Sequence, residues 1–133
     1  MNQLKVFTLE ETNRLLPVLS GLISDLHAKR DRVADIEVEI DALELVNDHT
    51  GEAVPEGLER LVEKHRETIT EFYEVVEQIH SYGCFLKDVN LGLIDFYGMV
   101  DGQVVYLCWR FGEDRVGFWH EIGSGYTDRK PLI

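Results

Sequence analysis

Apolar residues recur at alternating steps of four and three along the first third of the chain. Leu15, Leu19, Leu22, Leu26, Val33, Ile36, Ile40 and Leu43 form the series, with Lys29 in its one vacant place. That period predicts one face of a long helix. Thr8 followed by Glu11 forms a capping box that starts it, because each side chain satisfies a free amide of the first turn. Pro17 removes one backbone bond and is expected to kink or open the helix near its start. Residues 47 to 57, NDHTGEAVPEG, have the composition of a loop. A second series, Leu58, Val62, His65, Ile69, Phe72, Val76 and Ile79, predicts a helix from Leu58 to about Tyr82. Two such faces joined by a short loop fold back as an antiparallel pair, with Ile36 near His65 and Lys29 near Phe72. Lys29 is read as snorkelling or lying over the Phe72 ring, and His65 as a register-setting or partly exposed seam residue rather than a ligand or pH sensor. Leu16, Ile23, Val38, Leu45, Leu61, Tyr73 and Val75 fall outside the seam and need other cover, from the C-terminal segment or a second copy of the chain.

Gly83 stands where a left-handed residue ends a helix, and the period then changes to two. LIDFYGMV, Asp101-Gly102 and QVVYLCWRF predict a β-hairpin with a primed two-residue turn. Centred there, Ile94 pairs with Trp109, Asp95 with Cys108 and Tyr97 with Tyr106. One face carries Ile94, Phe96, Val105, Leu107, Trp109 and Phe111 and packs on the helices. The other carries Leu93, Asp95, Tyr97, Val104, Tyr106, Cys108 and Arg110. GEDR supplies a second turn and VGFWHEI a third strand. An odd turn, such as Glu113 to Arg115, sets Trp119 against Trp109 in the core and His120 beside Cys108 and Asp95. A four-residue turn exchanges those faces. Burying both tryptophans favours the odd turn. The fold class is therefore α+β: a long antiparallel two-helix hairpin over 8 to 82, then a small three-stranded antiparallel sheet and tail over 83 to 133, in a single domain.

Charge narrows the partners. The 133 residues carry 25 acids against 13 Lys and Arg, a net −12, which repels phosphate backbones and anionic lipid. Nucleic acid and membrane surfaces are not expected partners. No apolar run is long enough for a signal peptide or a membrane span, so a soluble cytoplasmic protein is expected. Two cysteines, Cys84 and Cys108, do not make a disulfide framework and are expected as thiols. Asp35 to Glu56 is acidic without a Lys or Arg, the pattern of a solvated hairpin end or, more sharply, of a cation-binding patch.

One constellation has site-like chemistry. The odd-turn register aligns Asp95, Cys108 and His120 across one sheet face, rimmed by Tyr97, Tyr106 and Arg110. Cysteine beside histidine can form an activated thiolate with the carboxylate orienting the ring, or the three can hold a divalent metal with an open position, with Glu121 as a further candidate ligand. The plainer alternative is a half-exposed face whose charges pair with one another and whose tyrosines build a subunit interface. No CxxC, HExxH, GxSxG, GxGxxG or Walker loop occurs. In the tail, GSGYTDRKPLI, Arg129 can clamp an anion, or Tyr126 and Leu132 can dock the segment. In GCFLKDVNLG, Lys87 and Asp88 are read as a surface pair.

FTLEETNRLLP at 7 to 17, GCFLKDVNLGLIDF at 83 to 96, and VYLCWRFGEDRVGFWHE followed by GYTDRKPL resemble the bacterial proteins of domain-of-unknown-function family 2203. The resemblance spans nearly the whole chain and implies a small bacterial protein; it carries no activity, cofactor or catalytic residue. Two functional readings stand on the residues. The first is a non-enzymatic homo-oligomeric module, a homodimer or higher, or one that meets a protein partner through its helical hairpin. The second is a metal or small-ligand site built from Asp95, Cys108 and His120, with Glu121, Arg110 and Arg129 nearby.

Overall fold

The computed structural model describes residues 4–50 and 54–132, and at 48–50 the backbone alone. Two long helices, α1 (Leu9–Thr50) and α2 (Leu58–Ser81), precede strands β1 (Phe85–Asp88), β2 (Leu93–Val100), β3 (Gln103–Arg110), β4 (Phe118–His120) and β5 (Lys130–Pro131). The strands form one antiparallel sheet in chain order. The three expected strands are thus joined by a short strand on each side. Two compact units emerge, Met1–Ser24 with Val76–Ile133, and Asp25–Val75. Their boundaries cut through both helices rather than falling at the helix–sheet junction. None of the helices among the described residues is long and apolar enough to cross a membrane.

The capping box at the start of α1 forms as the sequence predicts. The Thr8 amide donates to Glu11 Oε1 at 2.8 Å and the Glu11 amide to Thr8 Oγ1 at 3.1 Å. The helix continues through Pro17 and ends at Thr50, inside the segment read as loop; positions 51–53 of that loop lie outside the described residues. In the first unit, the buried line on α1 is Thr12, Leu16, Leu19 and Ile23, so Leu15 and Leu22 flank the core instead of centring it. Close approach of the sheet turns the helix that way: a side chain on Gly92 would meet Ile23 Cγ2 at 3.1 Å and Phe111 Cβ at 2.5 Å. Thr12 occupies a core position because its hydroxyl donates to the Leu9 carbonyl at 2.7 Å.

On α2 part of the expected line shifts by one residue: Leu61, Thr68 and Val75 take the places of Val62, Ile69 and Val76, while His65, Phe72 and Ile79 stay where the spacing puts them. Thr68, Val75 and Ile79 are buried, Leu61, His65 and Phe72 half-buried, and Val62 exposed. Thr68 again satisfies its own hydroxyl, on the Lys64 carbonyl at 2.8 Å, so a polar residue replaces Ile69 at the centre. Within the Asp25–Val75 unit, His65 Nε2 lies 3.0 Å from Glu37 Oε1, next to the Ile36 position the antiparallel registry assigns. Lys29 pairs with Asp25 at 2.7 Å on its own helix rather than with Phe72.

Gly83, at φ 90°, ends α2, and its amide donates to the His80 carbonyl at 2.9 Å. The β2–β3 turn has φ 50° at Asp101 and 79° at Gly102, the primed geometry expected there. The hairpin register is the predicted one throughout, with Ile94 opposite Trp109, Asp95 opposite Cys108 and Val100 opposite Gln103. Ile94, Phe96, Val105, Leu107 and Trp109 are buried together with Phe7, Ile79 and Val116, and Phe111 is only half-buried. The third strand keeps the predicted faces but slides by two residues: His120 pairs with Tyr106 and Trp119 with Leu107. Val116 causes the slip. Instead of pairing in the sheet it is buried, its amide donating to Asn13 Oδ1 at 2.8 Å, which lengthens the connection. Trp119 consequently lies half-buried under Lys130, 4.9 Å from its ring, and not against Trp109 in the core.

Glu113 fastens this connection and the tail together. Its carboxylate accepts from the Arg110 amide at 2.8 Å and from both terminal nitrogens of Arg129 at 3.0 and 2.6 Å, and its carbonyl accepts from Trp109 Nε1 at 2.9 Å. Burial alone would push the Glu113 carboxyl up, but Arg129 and the Arg110 amide outweigh it and hold it below the usual carboxylate range. A lowered folded-state value means the pair's contribution is complete above the unfolded value of about 4.3 and disappears as pH falls through the folded one. Glu113→Gln should therefore cost about 1–2 kcal/mol at pH 7 and progressively less as pH falls below the unfolded value, read from urea unfolding at each pH.

Candidate functional site

The second face of the β2–β3 hairpin is covered away from the turn, which corrects there the half-exposed face expected from sequence; toward the turn Tyr97 is half-buried and Val104 exposed. On the side away from the helical core lie Leu93, Asp95, Tyr106, Cys108 and His120, each buried. Asp95 and Cys108 are direct partners across β2 and β3. His120, on β4, reaches diagonally past Cys108 to Asp95, and its Nε2 lies 3.0 Å from Asp95 Oδ2. Its other nitrogen, Nδ1, lies 2.9 Å from the Glu121 carbonyl. A carbonyl only accepts, so Nδ1 carries a hydrogen and Nε2 is the atom turned toward the carboxylate. One ligand-type atom from each of Asp95, Cys108 and His120 lies within 4.8 Å of the other two.

Two features set this cluster apart from an ordinary buried polar network. Asp95 is 3% exposed, yet its Oδ1 makes no hydrogen bond among the described residues. A buried carboxylate oxygen without a partner costs about 1–3 kcal/mol or more, and native structures hold few of them. The cluster also floors a cavity of about 110 Å³ that Lys87, Tyr106, Ile122, Ser124 and Tyr126 help to line. Burial pushes the Asp95 carboxyl up, against the opposing pull of His120, Cys108 and Lys87. Burial, then the charge of Asp95, push the Cys108 thiol up to about 12 although Arg129 opposes them. A thiol so raised is not the activated nucleophile that a cysteine–histidine pair suggests. A metal cation reverses that logic, because coordination removes the thiol proton outright.

The other residues singled out in the sequence are engaged elsewhere. Arg110 donates to the Tyr126 hydroxyl at 3.0 Å, and Arg129 is taken up by Glu113 and lies over the Phe118 and Tyr126 rings at 4.0 and 4.4 Å, so it is not open to clamp an outside anion. The Glu121 carboxylate faces Lys130 at 3.8 Å and stands outside the cluster; only its carbonyl serves the site. Tyr97 and Tyr106 stack at 5.1 Å and Tyr106 meets the His120 ring at 5.3 Å, packing the wall of the cavity. Among the described residues, the acids of Asp35 to Glu56 bring no three ligand atoms together.

Lys87 is the residue the sequence misplaced. It forms no pair with Asp88, whose carboxylate instead accepts from the Leu91 amide at 2.9 Å. The β1–β2 register shifts between Leu86 and Asp88, a bulge at Lys87, and the ammonium lies 4.5 Å from the Tyr106 ring and 5.7 Å from that of Phe85. Bulges re-aim side chains in this way. The alternation Phe85, Lys87 was the available signal, had β1 been recognised as a strand. A larger groove of about 660 Å³, flanked by Leu9, Asn13, Val116 and Leu132, contains Glu113, which Arg129 already occupies, and gathers no comparable set of groups.

Comparison with known protein families gives a match over nearly the whole chain. The chain matches the model described as an uncharacterized conserved protein, DUF2203, over residues 5–132. No curated protein and no solved structure matches. The match takes in both helices, all five strands and each member of the Asp95–Cys108–His120 cluster, and the chain belongs to the DUF2203 family.

Proposed function

We propose that this protein binds a divalent transition metal, zinc first, through Asp95, Cys108 and His120. The observation that carries the reading is the convergence of a carboxylate, a thiol and an imidazole within 4.8 Å, buried, with one carboxylate oxygen unpaired. Oxygen, sulfur and nitrogen donors together form a borderline-soft set that suits zinc better than magnesium or calcium. The Nδ1–H donation to the Glu121 carbonyl supports it further, since metal-binding histidines commonly fix their orientation through such a bond. Ligand atoms around tetrahedral zinc lie roughly 3.3–3.8 Å apart, so the three close slightly on the metal. Three protein ligands leave the fourth position open toward the cavity.

Elemental analysis of protein purified without chelator tests this. The expected result is about one zinc per chain, absent from His120→Ala and from the better volume-matched Cys108→Ser, with circular dichroism confirming that each variant is folded. Wild-type protein that retains no metal after zinc loading and dialysis overturns the reading. Self-association is a second reading, favoured by the exposed Val38, Leu45, Val62 and Tyr73 on the two helices. Light scattering on the same samples should then give at least twice the 15.3 kDa chain mass.

A further inference from the structure

The cavity above the cluster has a charge and a size, and together they specify a ligand. Lys87 is the one Lys or Arg among its lining residues, and Asp95 the one carboxylate. The Lys87 ammonium makes no ion pair among the described residues; it rests on Tyr106 at 4.5 Å and on Phe85 at 5.7 Å, held there by the bulge between Leu86 and Asp88. A divalent cation bound by one thiolate, one carboxylate and a neutral imidazole is formally neutral. Lys87 then leaves the lined cavity one positive charge in excess. Lys87 is solvent-exposed, so water carries part of that charge, but it remains an unpaired cation at the edge of the cavity that attracts an anion.

We infer that the open metal position, with Lys87 beside it, takes a small carboxylate monoanion, one oxygen on the metal and the other facing the ammonium. The inference rests on the metal reading above. Size sets the class: about 110 Å³ corresponds to three or four waters at roughly 30 Å³ each, which fits an acetate-sized group and not a nucleotide or a peptide side chain with its backbone. Charge sets the sign, and the single unpaired cation among the lining residues matches a monoanion better than a phosphate dianion. Tyr126 adds a donor at the cavity wall, because its oxygen already accepts from Arg110 at 3.0 Å and leaves its own hydrogen to give. Ile122 and Leu93 line the rest and suit a short apolar tail on the acid.

The test uses the full chain loaded with cobalt in place of zinc, because the visible bands of cobalt report both thiolate ligation and any change in the fourth ligand. Acetate should shift those bands saturably, acetamide should not, and phosphate should be weaker than acetate. Lys87→Met should weaken acetate binding about tenfold or more while leaving the acetate-free cobalt spectrum unchanged. A chain that takes up no cobalt overturns the metal reading and this one together. Cobalt bands that form with thiolate character but do not move with acetate overturn this inference alone, as does equal acetate affinity in Lys87→Met, or tighter binding of phosphate.

Discussion

Replacing Trp109 with alanine should lower the free energy of unfolding by about 3–5 kcal/mol, the range for large aromatic truncations in a packed core. Trp109 is 1% exposed, stands edge-on to Phe111 at 6.3 Å, and donates its indole hydrogen to the Glu113 carbonyl at 2.9 Å. Truncation therefore opens a cavity and also strands a carbonyl in the connection that holds the tail. Trp119→Ala gives the internal control. That ring is half-buried and meets a lysine ammonium at 4.9 Å, so its loss should cost about 1–1.5 kcal/mol. Urea unfolding of the two variants beside wild type checks the contrast; equal costs would mean that the third strand sits in the register that buries both tryptophans.

Saturating zinc should stabilise the metal-free protein by about 4 kcal/mol at a thousandfold excess of free metal over its dissociation constant, through preferential binding to the folded chain. For a chain of 133 residues that corresponds to a rise in Tm on the order of ten degrees or more. The rise should vanish in Cys108→Ser and His120→Ala and persist in Lys87→Met, whose side chain faces the cavity without ligating. Calorimetric scans with zinc and with chelator make the measurement. A wild-type Tm indifferent to both, or a zinc effect unchanged in Cys108→Ser, counts against the site. The cluster's own energetics favour a gain of this kind: Asp95 Oδ1 makes no hydrogen bond among the described residues, and a cation would supply a partner.

What the sequence revealed and what it hid divide along physical lines. The helix start at Thr8, the termination at Gly83 and the hairpin centred on Asp101-Gly102 are local devices, in which a few adjacent residues decide the backbone, and each forms as the spacing predicts. The Asp95–Cys108 pairing follows directly from that turn. Alternation also put His120 on their face, since a slip of two residues preserves sides. The slip itself was hidden, because it depends on Val116 reaching Asn13, 103 positions earlier in the chain. Parts of the buried lines on α1 and α2 were misplaced by one residue for a related reason: Thr12 and Thr68 look polar in the sequence but satisfy their hydroxyls on their own helices, whereas Leu19, Leu26, Ile36 and Ile79 are buried as the spacing predicts. Lys87 was hidden by the shortness of β1, four residues with a bulge in them.

The margins of the sheet bear on how the protein behaves when crowded. At one side β5 is only Lys130 and Pro131, a charge and a residue without an amide hydrogen. At the other, β1 covers the first part of β2, and farther along the Phe7 amide takes the Tyr97 carbonyl at 2.7 Å. Among the described residues, β5, β1 and the Phe7 amide each interrupt the row of backbone groups an incoming strand would pair with, which works against fibril growth by strand addition.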